Sequence, residues 1–191
     1  MAFIMQNCVK LVKLLFLLCL LLTPKLGLAE EYGVSVKQVS LIEREAGYQL
    51  ETEIEYQLSS VAKEALEKGI PLTWDIRLEI RRTGFLWTHT MYRKKLRYTL
   101  QYHALLKQYE VKTSDQPPEM FLTLGAALNF MSLPKDAQQI DTELFEKKQR
   151  YLIAVRSRFN REFLPVPLRP FTYIHREWAL SSPWFIWPIQ K

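Results

Sequence analysis

Side chains able to do acid–base or nucleophilic chemistry are few and scattered. Three histidines are present, His89, His103 and His175. His175 and Glu177 are two residues apart, so on a strand they share a face, where an imidazole and a carboxylate can exchange a proton. A metal site needs three or four ligands, and the chain has no second clustered pair of ligating residues, so neither metal nor cofactor is expected. His89, between Thr88 and Thr90, reads as a turn or exposed strand residue, and His103 continues the polar face of its segment. Glu51, Glu53 and Glu55 alternate along one strand face, and glycoside hydrolysis uses two carboxyls about 5–10 Å apart. A row of glutamates on a wet face equally serves solvation and pairing with a basic neighbour strand. Nucleophile motifs are missing. Gly33-Val34-Ser35-Val36-Lys37 lacks the second glycine of a nucleophile elbow, and the six scattered glycines form no phosphate-cradling loop. Both cysteines, Cys8 and Cys19, precede residue 30, so the chain beyond has no thiol to react and no disulfide to form. No enzymatic activity is expected, and a hydrolase using the strand carboxylates or the His175/Glu177 pair is the weakest of three readings.

Binding chemistry is better represented. Basic residues cluster at Arg93, Lys94, Lys95 and Arg97, at Lys147, Lys148 and Arg150, and at Arg156, Arg158 and Arg161. Arg93, Lys95 and Arg97 alternate, and are the expected anion-binding set for phospholipid or lipopolysaccharide phosphates. The plainer alternative puts Arg97 on a strand beside Glu51, Glu53 and Glu55. The stretch Trp184-Phe185-Ile186-Trp187 is the most unusual. It either folds back to close the end of the core or forms a partly exposed patch for a partner or a membrane interface, where Trp is favoured. Trp184, Phe185 and Trp187, with Pro165 and Pro167 from a proline-spaced segment expected to be extended, are the expected partner-binding residues.

These residues must be positioned by strands, because period-2 alternation dominates. In residues 48–58, Tyr48, Leu50, Ile54, Tyr56 and Leu58 fall on one face and Gln49, Glu51, Glu53, Glu55 and Gln57 on the other. Further strands are expected at 34–42, 72–81, 85–90, 96–102, 107–112, 141–145, 150–159 and 173–180. Helices are expected at 61–68, between Ser59-Ser60 and Gly69, and at 121–131. There is no internal repeat and no linker. The expected fold is mainly β, a single antiparallel β-sandwich-like domain of about eight strands and two short helices. A membrane β-barrel fits poorly, since two mid-chain helices interrupt the strands and the terminal Ile189-Gln190-Lys191 lacks a final aromatic.

Residues 1–29 read as a secretory signal peptide ahead of a domain spanning 30–191. They hold no acidic residue; Lys10 and Lys13 precede a nine-residue apolar run from Leu14 to Leu22, and Gly27-Leu28-Ala29 offers small residues for cleavage. Nine residues fall short of the about 20 that span a bilayer, so an uncleaved inner-membrane anchor is the second reading. Leu18 ahead of Cys19 argues against lipidation. Hydrophobic content of 48% with 24% charged residues is globular composition. The net charge of +6 falls to +3 without the three leader lysines, which removes the main support for a nucleic-acid partner.

A resemblance adds to this reading. The leader, residues 48–58, the run Ala65-Leu66-Glu67-Lys68-Gly69-Ile70-Pro71-Leu72, residues 98–105, Leu164-Pro165-Val166-Pro167-Leu168 and Trp178-Ala179-Leu180-Ser181-Ser182-Pro183-Trp184 resemble the domain of unknown function 4390 family of Gram-negative bacteria. The resemblance implies an exported, β-rich protein, with a hint of envelope signalling through membrane sensor kinases, and brings no catalytic residues. The expected function is a non-catalytic, periplasmic protein-interaction module for an envelope partner. The alternative is a binder of anionic lipid or glycan at the envelope surface.

Overall fold

The computed structural model describes residues 32–189, apart from Ala46, Leu86, residues 135–139, Lys147 and Lys148. The signal peptide at 1–29, the alternative membrane anchor and the Lys147-Lys148 pair lie outside the described residues. Among the described residues, no helix is long and apolar enough to cross a membrane.

The fold is mainly β and antiparallel throughout. Strands β1 (Gly33–Arg44) and β2 (Gly47–Gln57) form a hairpin with its own two-stranded sheet. The other six, β3 (Leu72–Thr83), β4 (Thr88–His103), β5 (Gln108–Thr113), β6 (Glu119–Phe121), β7 (Arg150–Phe159) and β8 (Phe185–Pro188), make one sheet in the order β6-β5-β4-β3-β7-β8. The hairpin and helix α2 (Leu124–Ser132) lie over one face of that sheet, and the core fills the space between. Val34, Val36, Leu50 and Ile54 enter it from the hairpin, and Trp74, Ile76, Leu78, Ile80, Leu96 and Leu100 from the sheet. Each set alternates, as the period of 2 requires.

Capping explains the helices. Ser59 accepts a hydrogen bond from the Ala62 amide at 3.2 Å and opens α1 (Ser60–Glu67). Gly69, at φ 80°, ends it. Thr123 does the same for α2, accepting from the Ala126 amide, so that helix starts three residues later than the expected 121. Phe121 instead pairs with Tyr109 in β6.

Several expectations need correcting. Of the expected segment 85–90 only Thr88–Thr90 is strand, and it runs on with 96–102 in one long strand, β4. Its alternation is broken because Met91 is the extra residue of a bulge opposite Ile80 and Arg81. Residues 141–145 hold a 3-10 turn, in which Asp141 Oδ1 accepts from the Glu143 amide at 3.0 Å. The proline-spaced segment is not extended: Val166–Leu168 is a 3-10 turn closed by the Leu168 amide on the Pro165 carbonyl at 2.9 Å. Residues 173–180 are not a strand. Pro170 starts helix α3 (Arg169–Ile174), where its missing N–H costs nothing, and a 3-10 turn (Arg176–Trp178) follows. The described residues therefore hold three α-helices, not two, and the last strand is β8 in the aromatic tail.

The C-terminal strap closes one end of the core. Trp178 stacks on Phe159 at 5.9 Å, Phe159 lies 5.3 Å from Trp74, and Trp74 meets Tyr56 edge-on at 5.4 Å. Trp74 Nε1 donates to the Leu180 carbonyl at 2.9 Å. Ser181 and Ser182 then accept from the β7 amides of Phe159 and Ser157, each at 2.9 Å. These bonds satisfy the β7 edge up to the point where β8 takes over. Burial pushes the Tyr56 phenol far above its ordinary pKa, against a weaker opposing bond from Ser157.

Candidate functional site

The outer face of the six-stranded sheet is a lattice of charge set by register. Across β4, β3 and β7 the directly opposed residues form three rows: Arg97–Asp75–Arg158, Lys95–Arg77–Arg156 and Arg93–Glu79–Ala154. The two acids are deep, Asp75 7% and Glu79 4% exposed. Asp75 receives Arg97 Nε at 2.9 Å and Asn160 Nδ2 at 2.7 Å, and Lys95 Nζ lies 3.1 Å away. Burial alone would raise the Asp75 pKa, but the bonds from Arg97, Asn160 and Lys95 outweigh it and hold the carboxyl below its usual range. Glu79 is gripped by Arg93 Nε at 3.0 Å and Arg81 Nη2 at 2.7 Å.

The middle row is compensated at one position only, where Lys95 reaches Asp75. Lys95, Arg77 and Arg156 are three cations directly opposed across three strands, an arrangement that costs stability. Among the described residues, Arg77, Arg156 and Arg158 have no carboxylate within salt-bridge distance. The Arg156 Nε is buried without a hydrogen-bond partner. Arg77, Lys95, Arg158 and Arg161 border a polar cleft of about 210 Å³ with Asp75 and Tyr173. Aromatic rings support the cations: Arg81 lies 4.7 Å from the Trp184 centroid, Arg97 4.5 Å from Phe163 and Arg161 4.8 Å from Tyr173.

A second surface is apolar. β1 lies above β7, and beyond it nothing described covers β8. The result is a groove of about 550 Å³ between residues 37–41 of β1 and a floor of Ile153, Phe185, Trp187 and Ile189. Phe185 and Trp187 stack with parallel rings 6.2 Å apart, and Trp187 remains 50% exposed. β1 pairs with β2 on one side. Its other backbone edge faces the groove without a strand partner among the described residues.

The sequence-expected residues are only partly brought together. Arg93, Lys95 and Arg97 do share a face, but their charges are turned onto Glu79 and Asp75. The cations without a carboxylate partner among the described residues are Arg77, Arg156 and Arg158, which the chain separates and the register assembles; Arg156 lies 5.9 Å from the Trp184 centroid. Trp184 does not join Phe185 and Trp187. Alternation sends it to the charged face, while Phe185 and Trp187, opposite Val155 and Ile153, take the core side. Pro165 and Pro167 are exposed on the 3-10 turn and do not line the groove.

The remaining candidates are dispersed as well. Arg97 does not face the β2 glutamates; β2 pairs with β1, where Lys37 Nζ lies 2.7 Å from Glu55 and Arg44 Nη2 3.6 Å from Glu51. His175 and Glu177 do not share a strand face, because that segment is helical; the Glu177 carbonyl accepts from Ser59 Oγ at 2.8 Å. His103 Nε2 lies 2.7 Å from Glu110, and His89 is exposed opposite Arg82. Among the described residues, no group of three or more His, Cys, Asp or Glu could hold a metal.

The family model described as domain of unknown function 4390 matches residues 31–188, a stretch that takes in every described strand. No curated protein and no solved structure matches the chain. With the match running over nearly the whole fold, the chain belongs to the domain of unknown function 4390 family.

Proposed function

We propose that the protein is an exported, non-catalytic module of the cell envelope that binds a partner protein by accepting an extended segment along β1. The leader-like residues 1–29 support export, and the groove supports the binding mode. The observation that carries it is the pairing of an open strand edge with a bare apolar floor: residues 38–41 of β1 beside Phe185, Trp187 and Ile189. An added strand gains main-chain hydrogen bonds from the edge, and its alternate side chains cover the floor. A half-exposed Trp offers about 100 Å² to be covered, worth about 2.5 kcal/mol, which is the scale of a binding hot spot. The bulge at Lys37, a common guard of free edges, shields the start of β1 and leaves the following residues regular.

The test is photo-crosslinking in the cell that makes the protein. A probe at Gln38, on the groove, gives a discrete protein adduct that a probe at Ser60, on α1, does not. Trp187→Asp abolishes it. No adduct at Gln38, or the same adducts from both positions, refutes the reading.

A further inference from the structure

The charged face supports a second, independent assignment: we infer that the outer face of the β4-β3-β7 sheet binds the phosphate headgroups of an anionic phospholipid surface through Arg77, Arg156 and Arg158. The chemistry follows from what the rows leave over. Asp75 and Glu79 pair with Arg97, Lys95, Arg93 and Arg81, whereas Arg77 and Arg156, directly opposed in the middle row, are left without a carboxylate partner among the described residues, at a cost to the fold. An external anion removes that cost. Guanidinium groups match phosphate with paired hydrogen bonds; Arg77 and Arg158 are exposed, and Arg156 is half-buried beside the Trp184 ring, 5.9 Å from its centroid.

Two features favour a surface over a small ion. The free cations are spread over a strand face instead of converging on one point. One end of that face carries exposed aromatic groups: Phe163 lies against Arg97, and Tyr173 against Arg161 at the rim of the cleft that Arg77 and Arg158 line, and the two rings are 46% and 66% exposed. Ile186, opposite Ala154, adds an exposed apolar side chain at the β8 edge of the same face. Cations flanked by apolar and aromatic groups suit the headgroup boundary of a bilayer.

Sedimentation of the full-length chain with phosphatidylglycerol and with phosphatidylcholine vesicles tests this. The leader lysines are common to every variant, so differences between variants report the sheet face. Wild type binds the anionic vesicles, more weakly at high salt. Arg77→Glu with Arg158→Glu weakens binding about tenfold or more, Arg77→Lys with Arg158→Lys retains it, and Ile186→Ser lowers the salt-resistant part. Arg77→Glu alone melts no lower than wild type, because it replaces repulsion from Lys95 and Arg156 with attraction. Equal binding of wild type and the charge-reversed double variant, equal binding to neutral vesicles, or a lowered melting temperature for Arg77→Glu would overturn the assignment. Displacement by millimolar inorganic phosphate or by a DNA duplex would overturn it too, moving the site to a small anion or a nucleic acid.

Discussion

Asp75 is the residue on which the charged face turns. It is held by Arg97, Lys95 and Asn160, and its carboxyl titrates below the usual range. The folded-state pKa is depressed, so its contribution is present above the unfolded value of about 3.9 and is lost as pH falls through the folded value. Glu110 acts in the same sense: burial raises its pKa, but His103 and Lys112 hold it below the ordinary range, so acid unfolding of the wild type alone does not isolate Asp75. Comparison with Asp75→Asn does. At pH 7 that variant is less stable by about 1–3 kcal/mol, since Arg97 and Lys95 lose their counter-charge in a half-buried setting. Urea unfolding followed from pH 7 down to pH 2 shows the difference shrinking through the acid range. A difference independent of pH would mean that the effect is packing and not charge.

At the scale of elements, the hairpin is the part most tightly specified by backbone. Gly47 has φ 143°, and a Cβ there would overlap the Ile140 carbonyl oxygen. The neighbouring Tyr48 amide donates to that same carbonyl at 2.8 Å, and Ile140 donates back to Tyr48 at 2.8 Å. Gly47→Ala therefore strains the turn and pushes on a paired backbone. It lowers unfolding free energy by about 1–3 kcal/mol, read by chemical denaturation; an unchanged midpoint would show that the turn relaxes freely. Alternation made β1, β2, β3 and β7 legible in the sequence, because each buries one face. It failed where a bulge or a local hydrogen bond intervenes. Met91 hides the continuity of β4, and Pro170 with the turn at Val166–Leu168 turns a strand-like pattern into helix. The site was less legible than the fold. Arg93, Lys95 and Arg97 could be seen as one face from spacing alone, but only the register places Arg77 between Lys95 and Arg156. Likewise, the aromatic tail reads as one cluster until β8 pairs with β7 and sends Trp184 to the face opposite Phe185 and Trp187.

For the molecule as a whole, the asymmetry of the two layers is what matters. A six-stranded sheet is covered on its core face by a two-stranded hairpin and one short helix. The hairpin reaches β7 and stops, so the floor at β8 stays bare and the outer edge of β1 stays free. Under the two proposals, one surface accepts an added strand and the opposite one anionic headgroups, so that a partner could be engaged while the protein is seated on a bilayer. Residue-resolved amide hydrogen exchange on the full-length chain measures the open edge directly. The groove-facing amides of residues 38–41 exchange within the fastest class of strand amides, while those of Ile76, Leu78 and Ile80 in β3 are among the slowest. If the β1 amides were protected as strongly as those of β3, the edge would already be occupied or closed, and the account of a docking strand would fail.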